Sequence, residues 1–134
     1  GTGAFSVTLQ DGGTASYPTS SDYRLKENVV SISDGITRLK TLKPYRFNFK
    51  HTPSKTLDGF FAHEASTAVP GAVIGTKDEV MLEDGPLPGD LKKDDPVYQS
   101  VDYSKFVPLL TAALQEAITK IETLETKVAA LESA

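Results

Sequence analysis

A serine and a lysine five positions apart, Ser21 and Lys26, are the residues of this sequence that could do chemistry together. A serine hydroxyl is a weak nucleophile near neutral pH and attacks an amide carbonyl only when a base accepts its proton. A lysine amine can be that base, but lysine has an ordinary pKa near ~10.4. Burial must therefore favour the neutral amine before such a pair can act on a peptide bond.

The spacing limits how Ser21 and Lys26 can meet. Side chains five positions apart lie about 140° apart around a helix and on opposite faces of a strand. Either the chain turns between them, which Asp22 and Tyr23 favour, or the lysine reaches a serine of another subunit. Taken alone, the two residues also fit a plainer interpretation, a turn or N-cap serine and a solvated surface lysine.

Composition excludes several classes of function. The 134 residues carry a net charge of −4 with both signs mixed along the chain, so we expect no basic face and no nucleic-acid partner. There is no cysteine, and two isolated histidines, His51 and His63, do not make a metal site. Glycine patterns for nucleotide phosphates are missing, and apolar runs fall far below the ~20 residues of a membrane span. We expect no metal, cofactor, membrane anchor or export signal.

The segment after the pair predicts a short helix. Asp34 is its expected N-cap, and Pro44 ends it. One face of this helix carries the apolar residues Ile36, Leu39 and Leu42.

Strands are predicted next along the chain. Residues 45–49 alternate aromatic and polar side chains, which indicates a strand with its aromatic face in the core. Residues 59–62 predict another strand, and residues 64–69 about one helical turn before Pro70. Residues 73–74 and 80–82 are interpreted as a hairpin.

The remaining segments frame this domain. Residues 83–96 are rich in proline, glycine and charge, which is typical of an exposed loop or insertion arm. Residues 97–103 alternate again, and the terminal helix is expected to begin between 104 and 108. At the other end, residues 5–9 predict a strand followed by a turn at 11–13, within a leader that is either the end of an upstream region or disordered.

A coiled-coil seam runs through the C-terminal segment. From Val107 onward, apolar residues recur at alternating spacings of three and four, which defines a and d heptad positions. These positions are Val107, Leu110, Leu114, Ala117, Ile121, Leu124, Val128 and Leu131.

Charges beside the seam favour a parallel homo-oligomer. Lys120 and Lys127 at g positions would face Glu125 and Glu132 at the e positions of a parallel neighbour. Packing rules allow a dimer or a trimer. Ile118 at an e position widens the apolar face, which leaves open that the helix packs on its own domain.

Three motifs occur in order along the chain: SDYRLKENV at 21–29, GFFAHE at 59–64 and SVDYSKFVPLL at 100–110. Together with the heptad tail, they resemble the C-terminal intramolecular chaperone domain of phage tail spikes, tail fibres and endosialidases. Where this family more often has GFIAQE, the chain has Phe61 and His63 in place of an aliphatic residue and a glutamine.

The resemblance implies an α+β fold, a small mixed domain of short strands and helices with a long C-terminal helix in a parallel trimeric coiled coil. It implies three regions. Residues 1–20 would be the end of an upstream fibre or spike, residues 21–106 an auto-processing chaperone domain, and residues 107–134 the coiled-coil helix.

The same resemblance implies that a homotrimer helps the upstream fibre of the same polypeptide to fold. Ser21, with Lys26 as its base, would then cut the Ser20–Ser21 bond once. The polar residues expected to support this site are Asp22, Arg24, Asn28, His63 and Glu64. The family's setting is the host cytoplasm during virion assembly, and the module would leave the mature fibre after cleavage.

Two alternatives stay open. One is a trimeric fibre-tip module that does not cut itself and binds a receptor through the arm at 83–96. The other is the related cleavage domain of membrane-tethered transcription factors, which would need a membrane span beyond the coiled coil where this sequence stops.

Overall fold

The computed structural model of the protein describes residues 8–10, 14–16 and 19–134. The chain divides into two units, Gly1–Ser31 and Ile32–Ala134. In the first unit, strands β1 (Thr8–Gln10) and β2 (Thr14–Ser16) pair antiparallel. Of the strand predicted at 5–9, only the last two residues fall in the described part of the chain, and the turn predicted at 11–13 lies outside it.

The second unit alternates short helices and strands before one long helix. Its elements are α1 (Gly35–Leu39), β3 (Tyr45–Phe49), β4 (Thr52–Gly59), α2 (Ala62–Ala68), β5 (Val73–Ile74), β6 (Ser100–Val101) and α3 (Val107–Glu132). Strand β3 pairs antiparallel with β4, and β5 with β6. The predicted α+β class and the long C-terminal helix are confirmed.

The core of the second unit is built largely from small side chains. Ala65, Ala68 and Ala72 on and after α2 are buried against Phe106 and Leu109. Alanines let the two segments approach closely, and the aromatic ring and the leucine supply most of the apolar volume. The core therefore lies where α2 meets the start of α3.

Helix α1 packs against α3 at very short range. A Cβ atom built on Gly35 would lie 2.7 Å from the backbone nitrogen of Ala113. At the predicted N-cap, the Asp34 side chain makes no capping hydrogen bond with the described residues; Glu116 of α3 instead accepts from the backbone N–H of Ile36 at 3.0 Å. The distant carboxylate replaces the local one because α3 lies against the first turn of α1.

Arg38 connects α1 to α2. Its Nε and Nη2 atoms both donate to the backbone carbonyl of Ala68, at 2.9 and 2.6 Å. This carbonyl is in the last turn of α2, where intrahelical donors run out. The guanidinium thus satisfies a helix end and fixes the two short helices to each other.

Two strand predictions are wrong. Strand β4 ends at Gly59, and residues 60–61 lead directly into α2 instead of forming a strand. The hairpin of 73–74 with 80–82 does not form either. Strand β5 pairs with β6, a partner that local pattern could not identify because it lies some 26 residues away.

The arm after β5 folds back on itself. Val80 forms a bridge with Pro96, and Met81 and Val97 donate backbone hydrogen bonds to Asp95 and Glu79 at 2.9 and 2.8 Å. The predicted loop at 83–96 is therefore the tip of a hydrogen-bonded arm. The segment that returns from the tip of the arm brings β6 back beside β5.

The aromatic face of β3 was expected in the core, and this prediction is wrong for the single chain. Phe47 is half-buried, whereas Tyr45 and Phe49 are exposed. The two-stranded sheet of β3 and β4 leaves these rings to pack on each other and on neighbours. Tyr45 contacts Phe61 with ring centroids 4.9 Å apart.

Helix α3 uses one face for its own domain and leaves the heptad seam uncovered. Leu109 and Ala113 are buried, whereas Leu114, Ile121 and Leu124 on the seam are 62, 54 and 59% exposed. The two faces are roughly 90° apart around the helix. The helix thus does pack on its own domain, but through residues outside the seam. Within the described residues, no helix is both long and apolar enough to cross a membrane.

We predict that Gly35→Ala destabilises the second unit, because its Cβ would press on backbone atoms of Ala112 and Ala113 at 2.7–2.9 Å. Overpacking of this kind costs about 1–3 kcal/mol, which exceeds the gain of up to ~1 kcal/mol from replacing a helical glycine. Gly71→Ala is the matched control, since no neighbouring atom of the described residues would lie within 4 Å of its Cβ. Equal denaturation midpoints for the two variants would contradict the close approach of α1 to α3.

Candidate active site

Ser21 and Lys26 meet within one chain. Lys26 Nζ donates a hydrogen bond to Ser21 Oγ at 2.8 Å, and both side chains are exposed in the single subunit. Of the two arrangements that the spacing allowed, the chain has the first, a turn between the residues. A neutral amine at this position could accept the hydroxyl proton directly.

The turn is a single 3-10 turn at Tyr23–Leu25. The backbone N–H groups of Leu25 and Lys26 donate to the carbonyls of Asp22 and Tyr23, each at 3.1 Å. The flanking residues Asp22 and Lys26 have extended backbone. The chain therefore turns for one step and straightens again, which points the two side chains at each other.

Asp22 and Arg24 form a closed pair inside this turn. Asp22 Oδ1 accepts from the backbone N–H of Arg24 at 2.9 Å and from its Nε at 2.9 Å, and Oδ2 accepts from Nη2 at 2.7 Å. These hydrogen bonds, the side-chain ones first, hold the pKa of the Asp22 carboxyl below its usual value. The guanidinium of Arg24 is thus already occupied by Asp22.

Asn28 has a left-handed backbone conformation that bends the chain shortly after the site. Its φ is +52°, in the left-handed region that asparagine tolerates better than most residues. The residue bends the chain two positions after Lys26. The bend directs the exposed segment that follows, which contains Val29 and Val30.

The two other predicted supporting residues, His63 and Glu64, belong to the second unit and make their contacts there. His63 stacks on Phe61 with ring centroids 5.9 Å apart, and His51 stacks on Phe49 at 5.2 Å. Both imidazole rings therefore lie against a neighbouring phenylalanine ring. In the described ranges, no group of three potential ligands is placed to hold a metal ion.

Glu64 sits among polar partners that the sequence did not reveal. The Tyr45 hydroxyl beside it is the main cause that holds the pKa of Glu64 below its usual value, and Lys43 Nζ adds to this by donating to Oε1 at 3.3 Å. Glu64 in turn raises the pKa of Tyr45. Glu64 Oε2 is buried without a partner in good hydrogen-bond geometry among the described residues.

Sequence reasoning missed Lys43 and Tyr45 as neighbours of Glu64. The alternation of aromatic residues in β3 indicated only a packing role for Tyr45, and nothing in the pattern linked Lys43 to a carboxylate 21 positions away. The link arises because Tyr45, at the start of β3, pairs with Gly59 and contacts Phe61, which places this end of β3 beside the residues that lead into α2. A basic residue just before a strand carries no signal of its own.

The sequence matches one known family over part of its length. Residues 21–74 match the model of a family described as the chaperone of endosialidase, which is named among the peptidases. The match begins at Ser21 and ends at the last residue of β5. The resemblance drawn from the three motifs is thereby confirmed for this segment. The comparison with curated proteins gives no match.

A solved structure shares the fold. It is described as the crystal structure of a novel intramolecular chaperon and superposes with a TM-score of 0.51 at 18% sequence identity. The alignment covers 75% of this chain and 99% of that chain. At this identity, the similarity establishes the fold.

We predict that Tyr45→Phe raises the pKa of Glu64 toward that of an ordinary glutamate, because the variant lacks the hydroxyl that lowers it most. A depressed pKa in the folded state adds stability that is lost as the pH falls. The variant should therefore lose stability less steeply than the wild type below pH 4.5, the usual glutamate value. Carbon-detected NMR titration measures the pKa, and Tyr98→Phe, at a residue 84% exposed, is the control. An unchanged titration would contradict the contact.

Proposed function

We propose, from the membership of residues 21–74 in the chaperone of endosialidase family, that the protein is an intramolecular chaperone that releases itself. Three copies would assemble through α3, help the upstream part of the same polypeptide to fold into a phage tail fibre or spike, and cut before Ser21. The observation that supports this most directly is the 2.8 Å contact of Lys26 Nζ with Ser21 Oγ. Ser21 is also the first residue of the segment that matches the family.

The proposed reaction is an acyl shift followed by hydrolysis. The neutral amine of Lys26 takes the proton of the Ser21 hydroxyl, and Oγ attacks the carbonyl carbon of Ser20. The new C–O bond replaces the C–N bond, and the nitrogen of Ser21 leaves as an amine after receiving the proton from Lys26. Water then hydrolyses the ester, which gives a carboxylate at Ser20 and restores the Ser21 hydroxyl.

Assembly would control this reaction. An exposed amine is hydrated, and hydration favours its charged form, which cannot accept a proton. Lys26 is exposed in the single chain, so a neighbouring subunit that covers the site would favour the neutral amine. Cleavage would then wait until the subunits have come together.

The uncovered seam of α3 supports assembly. Its leucines, valines and isoleucine are exposed along most of the helix, and their burial between parallel copies would supply most of the association energy. The exposed g-to-e charge pairs add only about 0.3–0.5 kcal/mol each. These packing rules do not determine how many helices the coiled coil contains. The trimer is proposed from the family resemblance.

The chaperone role follows from the cost of aligning chains. A long intertwined β-rich fibre folds slowly, because its contacts join residues that are far apart in sequence or in different chains. A coiled coil that sets the register lowers the entropic cost of the first contacts. When the coil leaves after cleavage, the folded fibre is kinetically trapped. The proposed setting is the host cytoplasm during virion assembly, with release from the mature fibre.

We predict that Ser21→Ala abolishes self-cleavage and that Lys26→Arg does so too, because arginine cannot give up its proton. Loss of either group should slow the reaction by at least about 10³-fold. The wild type should yield residues 1–20 and 21–134, resolved by mass spectrometry. Ser33→Ala and Lys40→Arg, at exposed positions outside the site, are matched controls that should still cut.

An intact wild-type chain that has assembled normally would overturn the self-cleavage proposal. It would favour the alternative of a fibre-tip module that trimerises without cutting. Cleavage at another bond that persists in Ser21→Ala would overturn the assignment of the nucleophile alone.

We predict that the pair Ile121→Asp and Leu124→Asp dissociates the oligomer, because it places charge in the seam. Thr119→Asp with Thr126→Asp is the matched control, since both threonines occupy f positions on the opposite side of α3. Light scattering measures the mass, and the cleavage rate is followed in the same samples. A wild type that stays monomeric at micromolar concentration would contradict the assembly, and undiminished cutting by the dissociated variant would contradict its control of cleavage.

A further inference from the structure

Among the described residues, the turn that joins Ser21 to Lys26 is held by two backbone hydrogen bonds and by the side chain of Asp22. It is one 3-10 turn at Tyr23–Leu25, none of whose residues is buried. Such turns have poor hydrogen-bond geometry and are marginal alone. Tyr23 and Leu25 are 81 and 73% exposed, so packing within the subunit does not fix them. Local hydrogen bonds must therefore keep the turn formed.

The side chain of Asp22 adds three hydrogen bonds to those of the backbone, and both carboxylate oxygens take part. Oδ1 caps the turn by accepting from the backbone N–H of Arg24 at 2.9 Å. The same carboxylate accepts from Arg24 Nε and Nη2 at 2.9 and 2.7 Å, which ties the side chain down over the turn. A single residue thus satisfies the backbone N–H of Arg24 and pairs with the guanidinium of the same residue.

The turn is a geometric requirement of the dyad. Without it, an extended chain would put the side chains of positions 21 and 26 on opposite faces, and a continued helix would put them about 140° apart. Only a chain that turns once, between extended residues at 22 and 26, gives the observed 2.8 Å contact. The population of the turn therefore sets how often Lys26 is in place.

We propose that Asp22 is a positioning residue for self-cleavage, which keeps Lys26 on Ser21 by capping the turn between them. This inference rests on the function proposed above. It assigns Arg24 a role as well, since the guanidinium is held by Asp22 and serves to brace the cap. Among the described residues, the Asp22 carboxylate makes no hydrogen bond to Ser21 Oγ or Lys26 Nζ, and it would act through the backbone.

Four variants distinguish the effect of the Asp22 cap on the turn from the effect of the Asp22 charge. Asp22→Ala removes both, Asp22→Asn and Asp22→Ser keep an oxygen that can cap the turn, and Arg24→Gln keeps the cap while removing the ion pair. N-caps can be replaced among aspartate, asparagine and serine with little loss, whereas alanine does not substitute for them. We expect Asp22→Ala to cut about tenfold more slowly than the wild type, and Asp22→Asn and Asp22→Ser to stay within about threefold.

The measurement is the first-order cleavage rate of the full chain, followed by mass spectrometry across a pH series. Light scattering on the same samples reports assembly. Loss of the aligned geometry should lower the rate of Asp22→Ala at every pH without moving the midpoint of its pH profile. Rescue by Asp22→Asn at unchanged assembly is the result that a general loss of structure would not give.

Several outcomes would overturn the inference. If Asp22→Ala cuts like the wild type while Ser21→Ala does not cut, the positioning role is wrong and self-cleavage stands. If assembled Asp22→Asn is as slow as Asp22→Ala, the carboxylate charge matters and the cap does not. If the assembled wild type itself never cuts, the proposed function fails, and with it the premise of this inference.

Discussion

The packing of α1 on α3 is the contact on which the second unit depends. It requires a glycine at position 35, where any side chain would meet the backbone of α3, and it is fixed by Glu116 at the first turn of α1. Arg38 extends the arrangement to the end of α2. Since α1 meets α3 at Ala113 and the core uses Leu109, most of the heptad seam remains exposed. One helix can therefore hold its own domain and still present a surface for assembly.

The two parts of the proposed function have different physical origins. The pairing of Ser21 with Lys26 is local, because one capped turn is enough to bring the side chains together. The conditions that would make the lysine a base are not local, because both side chains are exposed in a single chain. If the Ser21–Lys26 contact forms within one chain but Lys26 becomes a base only when another subunit covers it, cleavage depends on assembly.

Local pattern predicted the elements whose signal is periodic. Spacing and helix breakers predicted the aromatic alternation of β3, the helix before Pro70 and a start of α3 within residues 104–108. The hairpin of 73–74 with 80–82 failed because β5 pairs instead with β6, from which the arm separates it in sequence. The strand at 59–62 failed because β4 ends at Gly59 and α2 begins at Ala62. The aromatic face of β3 was placed in the core because a sequence cannot show which sheet face another layer covers.

The sequence by itself determined the chemistry available and the outline of the fold. It supplied the serine and the lysine, the choice between a turn and a contact with another subunit for bringing them together, and the seam with its complementary charges. Only the tertiary structure decided that Asp22 caps that turn through Arg24, that Tyr45 and Lys43 surround Glu64, and which side of α3 packs on α1. Periodicity and residue type are properties of neighbours along the chain, whereas these contacts depend on where the folded backbone places each side chain.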